Sequence, residues 1–268
     1  MQARLSEHKA GLTAIAFAAS MAAMSPSSAA EIRVYTGGAP KEVLSVLTPE
    51  FEKQSGHKVQ FTYAVISAIQ QKLAAGERPD MVLMPIPALD ALVKAGTLHA
   101  EPRPTLGSIG VAMIVRAGAD KPDVSSTDKL RKVLLEARSV VHADPKATPS
   151  GAHLAKVTEQ LGLSDAMKQK TTYRNALDGG AEMVSKGEAE IGIFPLSEVI
   201  SVKGVSVAGM LPSELQLPIV YGAGVLSDNK SPEAAQAFVK FLADPANRQR
   251  WKDAGFEPAA GGGVIAQP

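Results

Sequence analysis

Short apolar runs alternate with amphipathic stretches along most of this chain. Runs rich in β-branched residues predict strands at 32–35, 59–63, 80–84, 111–115, 140–143 and 190–194. Between them, apolar residues at helical spacing predict helices, such as the one that carries Val43, Leu47 and Phe51 and ends at Gly56. Strands that alternate with helices in this way predict parallel sheets covered by helices on both faces.

Two extended runs, 107–115 and 217–226, differ from the other strands because they contain glycine and are flanked by proline or charge. We interpret them as crossover strands between a first lobe, 31–112 plus 222–268, and a second lobe, 113–221. The sequence therefore predicts an α/β protein of two Rossmann-like lobes joined by two crossover strands. A ligand cleft is expected between the lobes, at the carboxyl ends of the two sheets.

The first thirty residues have the pattern of a secretory signal peptide. Basic residues precede an apolar stretch, 11–24, that is too short to span a bilayer, and small residues precede Glu31. We expect cleavage after Ala30 and a product in the periplasm. The chain has no cysteine, so a lipoprotein anchor at this cleavage site is excluded.

Charge and composition exclude several classes of function. Cleavage would remove two of the 28 basic and one of the 27 acidic residues, which leaves a net charge of zero and gives no support for nucleic-acid binding. The absence of cysteine excludes thiol catalysis and zinc sites with sulfur ligands. The remaining histidines are scattered without metal-ligand spacing, so we expect neither a metal nor a cofactor.

The strongest candidate for a binding element is the segment 144–151, DPKATPSG, which follows a predicted strand. We expect a proline-braced turn and then a helix with Ser150 at its N-cap, so that unpaired N–H groups and a hydroxyl face one point. The strand–glycine–helix turn at Thr36, Gly37, Gly38 and Ala39 is expected to approach the same ligand. These features predict a site for a small anion.

The order of five short motifs resembles the periplasmic substrate-binding proteins of ABC importers, and more narrowly the molybdate-binding family. The motifs are DPKATPSG at 144–151, GEAEIGI at 187–193, AGERPD at 75–80, AFVKFL at 237–242 and AGF at 254–256. The resemblance covers residues 31–257. It implies a type II periplasmic binding protein fold and a tetrahedral oxyanion held by hydroxyl and N–H groups from four loops.

The residues themselves and the resemblance together predict a set of ligand-binding residues. They are Thr36, Gly37, Gly38, Ala39, Ser67, Ser150, Gly151, Arg174, Leu177 and Phe194. Three positions depart from the family. Ala39 and Ile66 occupy positions where the family usually has serines, and Pro195 aligns near the position of an aromatic hydroxyl that the family often has. These departures leave open a small organic carboxylate as the ligand. Arg174 would then grip the carboxylate, or else it is a surface arginine at a strand end.

The function that we predict is the solute-binding component of an ABC importer, a monomer that binds a molybdate- or tungstate-like anion and docks on an inner-membrane permease. Alternatives are a carboxylate-binding protein and a receptor coupled to a membrane sensor. A hydrolase that uses Ser150, His142 and Asp144 is disfavoured, since Ser150 lacks the Gly-x-Ser-x-Gly elbow. We expect no catalytic residue.

Overall fold

The computed structural model describes residues 29–99, 103–229 and 232–257. Residues 1–28 of the predicted signal peptide lie outside them. The strands are β1 (Glu31–Thr36), β2 (Lys58–Tyr63), β3 (Met81–Pro85), β4 (Thr105–Ile109), β5 (Val111–Arg116), β6 (Val140–His142), β7 (Thr171–Tyr173), β8 (Ile191–Pro195), β9 (Val205–Met210) and β10 (Ile219–Val225). The α-helices are α1 (Lys41–Ser55), α2 (Ile66–Ala74), α3 (Ile86–Lys94), α4 (Thr127–Glu136), α5 (Pro149–Gln160), α6 (Ser164–Lys168), α7 (Gly180–Lys186), α8 (Leu196–Val199), α9 (Pro232–Leu242) and α10 (Arg248–Asp253).

The strands form two five-stranded sheets, one in each lobe, which confirms the predicted two-lobed α/β fold. The first sheet has the order β2-β1-β3-β10-β4 and the second β7-β6-β8-β5-β9. Both sheets are mixed, so the expectation of parallel sheets was wrong for the crossover strands. β10 runs antiparallel to β3 and β4, and β5 runs antiparallel to β8 and β9. Each crossover strand comes directly from the other lobe, without the helical connection that parallel neighbours require.

The two crossings lie side by side and form the hinge. Gly110 alone separates β4 from β5, and the return crossing runs between Met210 and Ile219. The side chain of Gln216 joins them, because its Oε1 accepts from the Val111 N–H at 2.7 Å and its Nε2 donates to the Val111 carbonyl at 3.0 Å. The predicted lobe boundaries at 112 and 222 fall inside β5 and β10.

Each sheet has an apolar core on both faces, as alternating strands and helices require. In the first lobe α1, α9 and α10 cover one face with residues such as Leu44, Phe238 and Trp251, and α2 and α3 cover the other with Ile69 and Leu89. In the second lobe, α4 and α5 pack on one face and α7 on the other. Among the described residues, no helix is long and apolar enough to cross a membrane.

Candidate functional site

A cavity of about 110 Å³ lies between the lobes beside the hinge. From the first lobe it is lined by Gly37, Gly38, Ala39, Tyr63, Ala64, Val65, Ile66, Ile109, Ile219 and Tyr221. From the second lobe it is lined by Ala143, Thr148, Pro149, Ser150, Asn175, Leu177, Asp178, Pro195 and Glu198. Most of these residues follow strand ends or begin helices, which is the expected ligand position in open α/β sheets.

The lobes touch across this cavity, so the structure is a closed form. A Cβ atom added at Gly38, in the first lobe, would lie 2.7 Å from Cδ1 of Leu177 and 3.5 Å from Oε1 of Glu198, both in the second lobe. Outside the cavity, the Ser201 hydroxyl donates a hydrogen bond to the Glu42 carboxylate at 3.2 Å. Glycine at position 38 therefore permits an approach between the lobes that a larger residue would obstruct.

The loop before α5 contributes hydroxyl and N–H groups, but its cap differs from the prediction. Thr148, not Ser150, is the N-cap, and its Oγ1 accepts from the Gly151 N–H at 3.1 Å. Pro149 at the first helical position marks this cap, because proline is favoured there. Ser150 lies in the first turn, is buried and lines the cavity, with its Oγ 3.3 Å from Oγ1 of Thr148. The N–H of Ser150 has no partner within the helix at this position.

Five of the ten predicted ligand-binding residues line the cavity, namely Gly37, Gly38, Ala39, Ser150 and Leu177. Thr36 is fully buried, and its hydroxyl donates to the carbonyl of Gly37 at 3.3 Å. Gly151 lies in the first turn of α5 and packs against the preceding loop, where an added Cβ would lie 2.5 Å from the carbonyl oxygen of Ala143. These two residues support the cavity wall from behind.

The other three predicted residues lie elsewhere. Arg174 is exposed, and its guanidinium donates to the carbonyl of Asp178 at 3.4 Å, which matches the alternative of a surface arginine at a strand end. Phe194 is fully buried in the core of the second lobe. Ser67 does not cap α2, whose N-cap is Val65, and it lines a groove next to the cavity.

Glu198 is the residue of the cavity with the most unusual environment, and the sequence analysis missed it. It lies on α8, directly after β8, and is partly buried. Within the described residues, its carboxyl makes no hydrogen bond or ion pair. Burial, and secondarily the negative charge of Asp178, raises the pKa of the Glu198 carboxyl to about 7. This carboxyl therefore exchanges a proton near neutral pH.

Tyr221 faces the same space from the first lobe. It lies on β10, is buried, and its hydroxyl makes no hydrogen bond with a described residue; an added Cβ at Gly37 would lie 3.1 Å from that hydroxyl. Burial, and secondarily the charge of Glu198, raises the pKa of the Tyr221 hydroxyl far above its ordinary value, so it stays a hydrogen-bond donor. Burial also raises the pKa of Tyr63 to about 12.

The three positions at which the chain departs from the molybdate-binding family all belong to the cavity wall. Ala39, Ile66 and Pro195 line it, and none of them carries a hydroxyl. The charged side chains in the wall are both acidic, Asp178 and Glu198, so the wall contains neither lysine nor arginine among the described residues. Compared with a site built from neutral hydroxyls, this cavity is less suited to an inorganic dianion.

The hydrolase arrangement is not assembled. The Nδ1 of His142 lies 2.8 Å from the carbonyl of Ala143, and its ring packs edge-on against Tyr173 rather than against Ser150. The carboxylate of Asp144 accepts from the Lys146 N–H at 2.8 Å. Burial also lowers the pKa of His142. Among the described residues, no cluster of three or more His, Asp or Glu side chains could hold a metal ion.

A signal for Glu198 exists in the sequence, although the prediction did not use it. The apolar strand at 190–194 was recognised, and residues that follow the carboxyl end of such a strand face the cleft. Four residues of helix are too few for a periodicity, so α8 itself gives no pattern. Tyr221 lies in the predicted crossover strand at 217–226. The alternation of faces there does not show to which lobe its side chain belongs.

Comparisons with known proteins agree with the fold. The family model described as bacterial extracellular solute-binding protein matches residues 32–257. An aconitate isomerase from Pseudomonas sp is 32% identical over 267 residues, which cover 96% of this chain and 98% of that protein. The molybdate-binding protein ModA of Rhodobacter capsulatus is 26% identical over 237 residues, 88% of this chain and 91% of that protein.

A solved structure, the periplasmic molybdate-binding protein of Azotobacter vinelandii, superposes with a TM-score of 0.72 at 20% identity, over 85% of this chain and 100% of that one. This likeness supports the two-lobed fold. The resemblance inferred from the five motifs is thereby confirmed. The chain belongs to the family of bacterial extracellular solute-binding proteins and is a ModA-like member of it.

Proposed function

We propose that this protein binds a small unsaturated carboxylic acid of the aconitate type between its lobes and isomerises it by moving a proton. The observation that carries the proposal is the carboxyl group of Glu198, which borders the cavity without a hydrogen-bond partner among the described residues. The near full-length similarity to an aconitate isomerase supports it. The expectation that the protein has no catalytic residue is therefore replaced by a proposal with one.

The chemistry needs one group that both removes and returns a proton. In aconitate, a methylene carbon and a carbon–carbon double bond are adjacent. Ionised Glu198 takes a proton from the methylene carbon, so that one C–H bond breaks and the double bond shifts. The carboxylic acid so formed returns the proton to the far carbon of the former double bond, and the base is regenerated. A pKa near 7 suits both steps at neutral pH.

The electron-rich intermediate needs stabilisation on its carboxylate oxygens. The N–H of Ser150 lies in the first turn of α5, where the helix terminus favours an anion. The hydroxyls of Thr148 and Tyr221 border the same cavity and are able to donate. Preorganised donors of this kind act where charge develops and need no cation in contact with the reacting carbons.

The test is conversion of cis-aconitate in deuterium oxide, followed by NMR. The wild-type protein should form the trans isomer and exchange deuterium into the product. Glu198→Gln should lower the rate by a factor of about 10² to 10⁴, the usual loss for a general base, and should retain ligand binding. Glu188→Gln is the matched control, because it removes an exposed carboxylate outside the cavity. Wild-type protein that binds aconitate without converting it would contradict the proposed activity.

A second candidate function is the importer component for a small anion. It is favoured by the helix termini that converge on the cavity and by the molybdate-binding relatives. Export to the periplasm after cleavage at Ala30, monomeric function and docking on an ABC permease belong to this candidate. Stabilisation by molybdate or tungstate in a thermal-shift assay, lost in Ser150→Ala, would select it, while a shift with carboxylates alone would reject the oxyanion.

A further inference from the structure

A second groove, of about 690 Å³, borders the reaction cavity. The two spaces share wall residues, namely Ile66, Thr148, Pro149 and Ile219. The groove lies between α2 in the first lobe and the β6–α5 loop in the second.

The groove is mostly apolar and rich in proline, but three polar side chains stand in its wall besides the shared Thr148. Ser67 and Gln70 come from α2, and Lys146 comes from the β6–α5 loop. Within the described part of the chain, none of the three side chains makes a hydrogen bond or an ion pair. The loop that presents Lys146 is fixed by the hydrogen bond from its main-chain N–H to the Asp144 carboxylate, at 2.8 Å.

The negative charge of an organic acid gives a reason for polar donors in this groove. The reaction cavity contributes only acidic side chains, Asp178 and Glu198, and the terminus of α5 supplies about half a positive charge. An organic acid with several ionised carboxylates needs further compensation. Lys146 is a cation in the wall of the adjoining groove, and an ammonium with an amide and a hydroxyl is a suitable set of donors for a carboxylate.

We propose that the groove is a second subsite, in which Lys146, Gln70 and Ser67 bind a carboxylate arm of the same ligand. The inference rests on the proposed function and narrows its substrate class to polycarboxylates. Lys146 belongs to the second lobe, and Gln70 and Ser67 belong to the first. A carboxylate held by all three bridges the lobes, so the arm also favours closure.

The test compares two probes that differ by one carboxylate. Trans-aconitate carries three, and glutaconate has the same five-carbon chain without the third. Calorimetry at low ionic strength should show that Lys146→Met weakens aconitate binding about tenfold or more and glutaconate binding less than threefold. Lys146→Arg should restore most of the aconitate affinity. Lys156→Met, an exposed lysine further along α5, is the matched control and should change neither.

The outcomes separate this inference from the proposed activity. Equal losses of affinity for both probes in Lys146→Met, or no loss for either, would overturn the subsite. The proposed isomerase activity would stand in that case if the wild-type protein still converts cis-aconitate. Aconitate that binds through Lys146 but is never converted would support the subsite and reject the isomerase. If neither probe binds the wild-type protein, both proposals are wrong.

Discussion

The ionisation of Glu198 can be tested through stability alone, without any substrate. The ordinary pKa of the carboxyl is 4.5, and the fold raises it to about 7. Between these values the folded protein binds more protons than the unfolded chain, so stability falls as pH rises. Glu198 therefore contributes stability that is present below pH 4.5 and is lost by about pH 7. Glutamine has nearly the same shape and cannot ionise, so Glu198→Gln removes this loss.

The size of the effect follows from the two pKa values. At about 1.4 kcal/mol per pH unit, the raised pKa corresponds to about 3 kcal/mol of lost stability once the carboxyl is ionised in both states. The carboxyl borders a cavity that admits water, which screens part of this cost. We therefore expect the free energy of unfolding of Glu198→Gln, relative to wild type, to increase by about 2 kcal/mol from pH 4 to pH 8.

Urea denaturation followed by circular dichroism measures this difference at each pH. The fluorescence of Trp251, the one tryptophan of the chain, reports on the first lobe and shows whether both lobes unfold together. Glu188→Gln serves as the control, and its curve should stay parallel to that of the wild type. Parallel curves for Glu198→Gln as well would show that Glu198 ionises normally in the folded protein, and would refute the reasoning.

Three further substitutions test the surroundings of the cavity. Asp178→Asn removes the second cause of the raised pKa of Glu198, so in this variant stability should fall at a lower pH than in the wild type, in the same urea titration. Gly38→Val places side-chain atoms against Leu177 and should weaken ligand affinity about tenfold by calorimetry, with little change in melting temperature. Gly151→Ala should lower the free energy of unfolding by about 1–3 kcal/mol, because its Cβ would meet a carbonyl oxygen of the preceding loop at 2.5 Å.

The sequence predicted the architecture because the fold depends on patterns that persist over many residues. Strand alternation and helical spacing recur throughout both lobes, and small errors at single helix starts do not change the result. The cap of α5 was assigned to Ser150 although Thr148 directly precedes a proline at the first helical position, which is the stronger signal. Local chemistry of this kind depends on one residue, so a shift of two positions changes which hydroxyl caps the helix.

The contents of the cavity were harder to predict, since they depend on which strand ends meet after folding. The substitutions at Ala39, Ile66 and Pro195 were recognised and do lie in the wall. Glu198 and Tyr221 are 23 positions apart in the sequence and come from different lobes, so no spacing rule connects them. Their shared position exists only because the chain crosses twice between the lobes.

In the proposed function, this two-lobed arrangement would join binding to proton transfer in one movement. The hydroxyl of Tyr221 and the loop at Gly38 belong to the first lobe, while Glu198 and Leu177 belong to the second. In this closed form Leu177 lies against Gly38, and Glu198 is partly buried between the lobes. Burial is the larger cause of the raised pKa of that carboxyl, so an open form should return it towards its ordinary value. If Glu198 is the base that we propose, the closing movement by which a solute-binding protein holds its ligand would also tune that base to neutral pH.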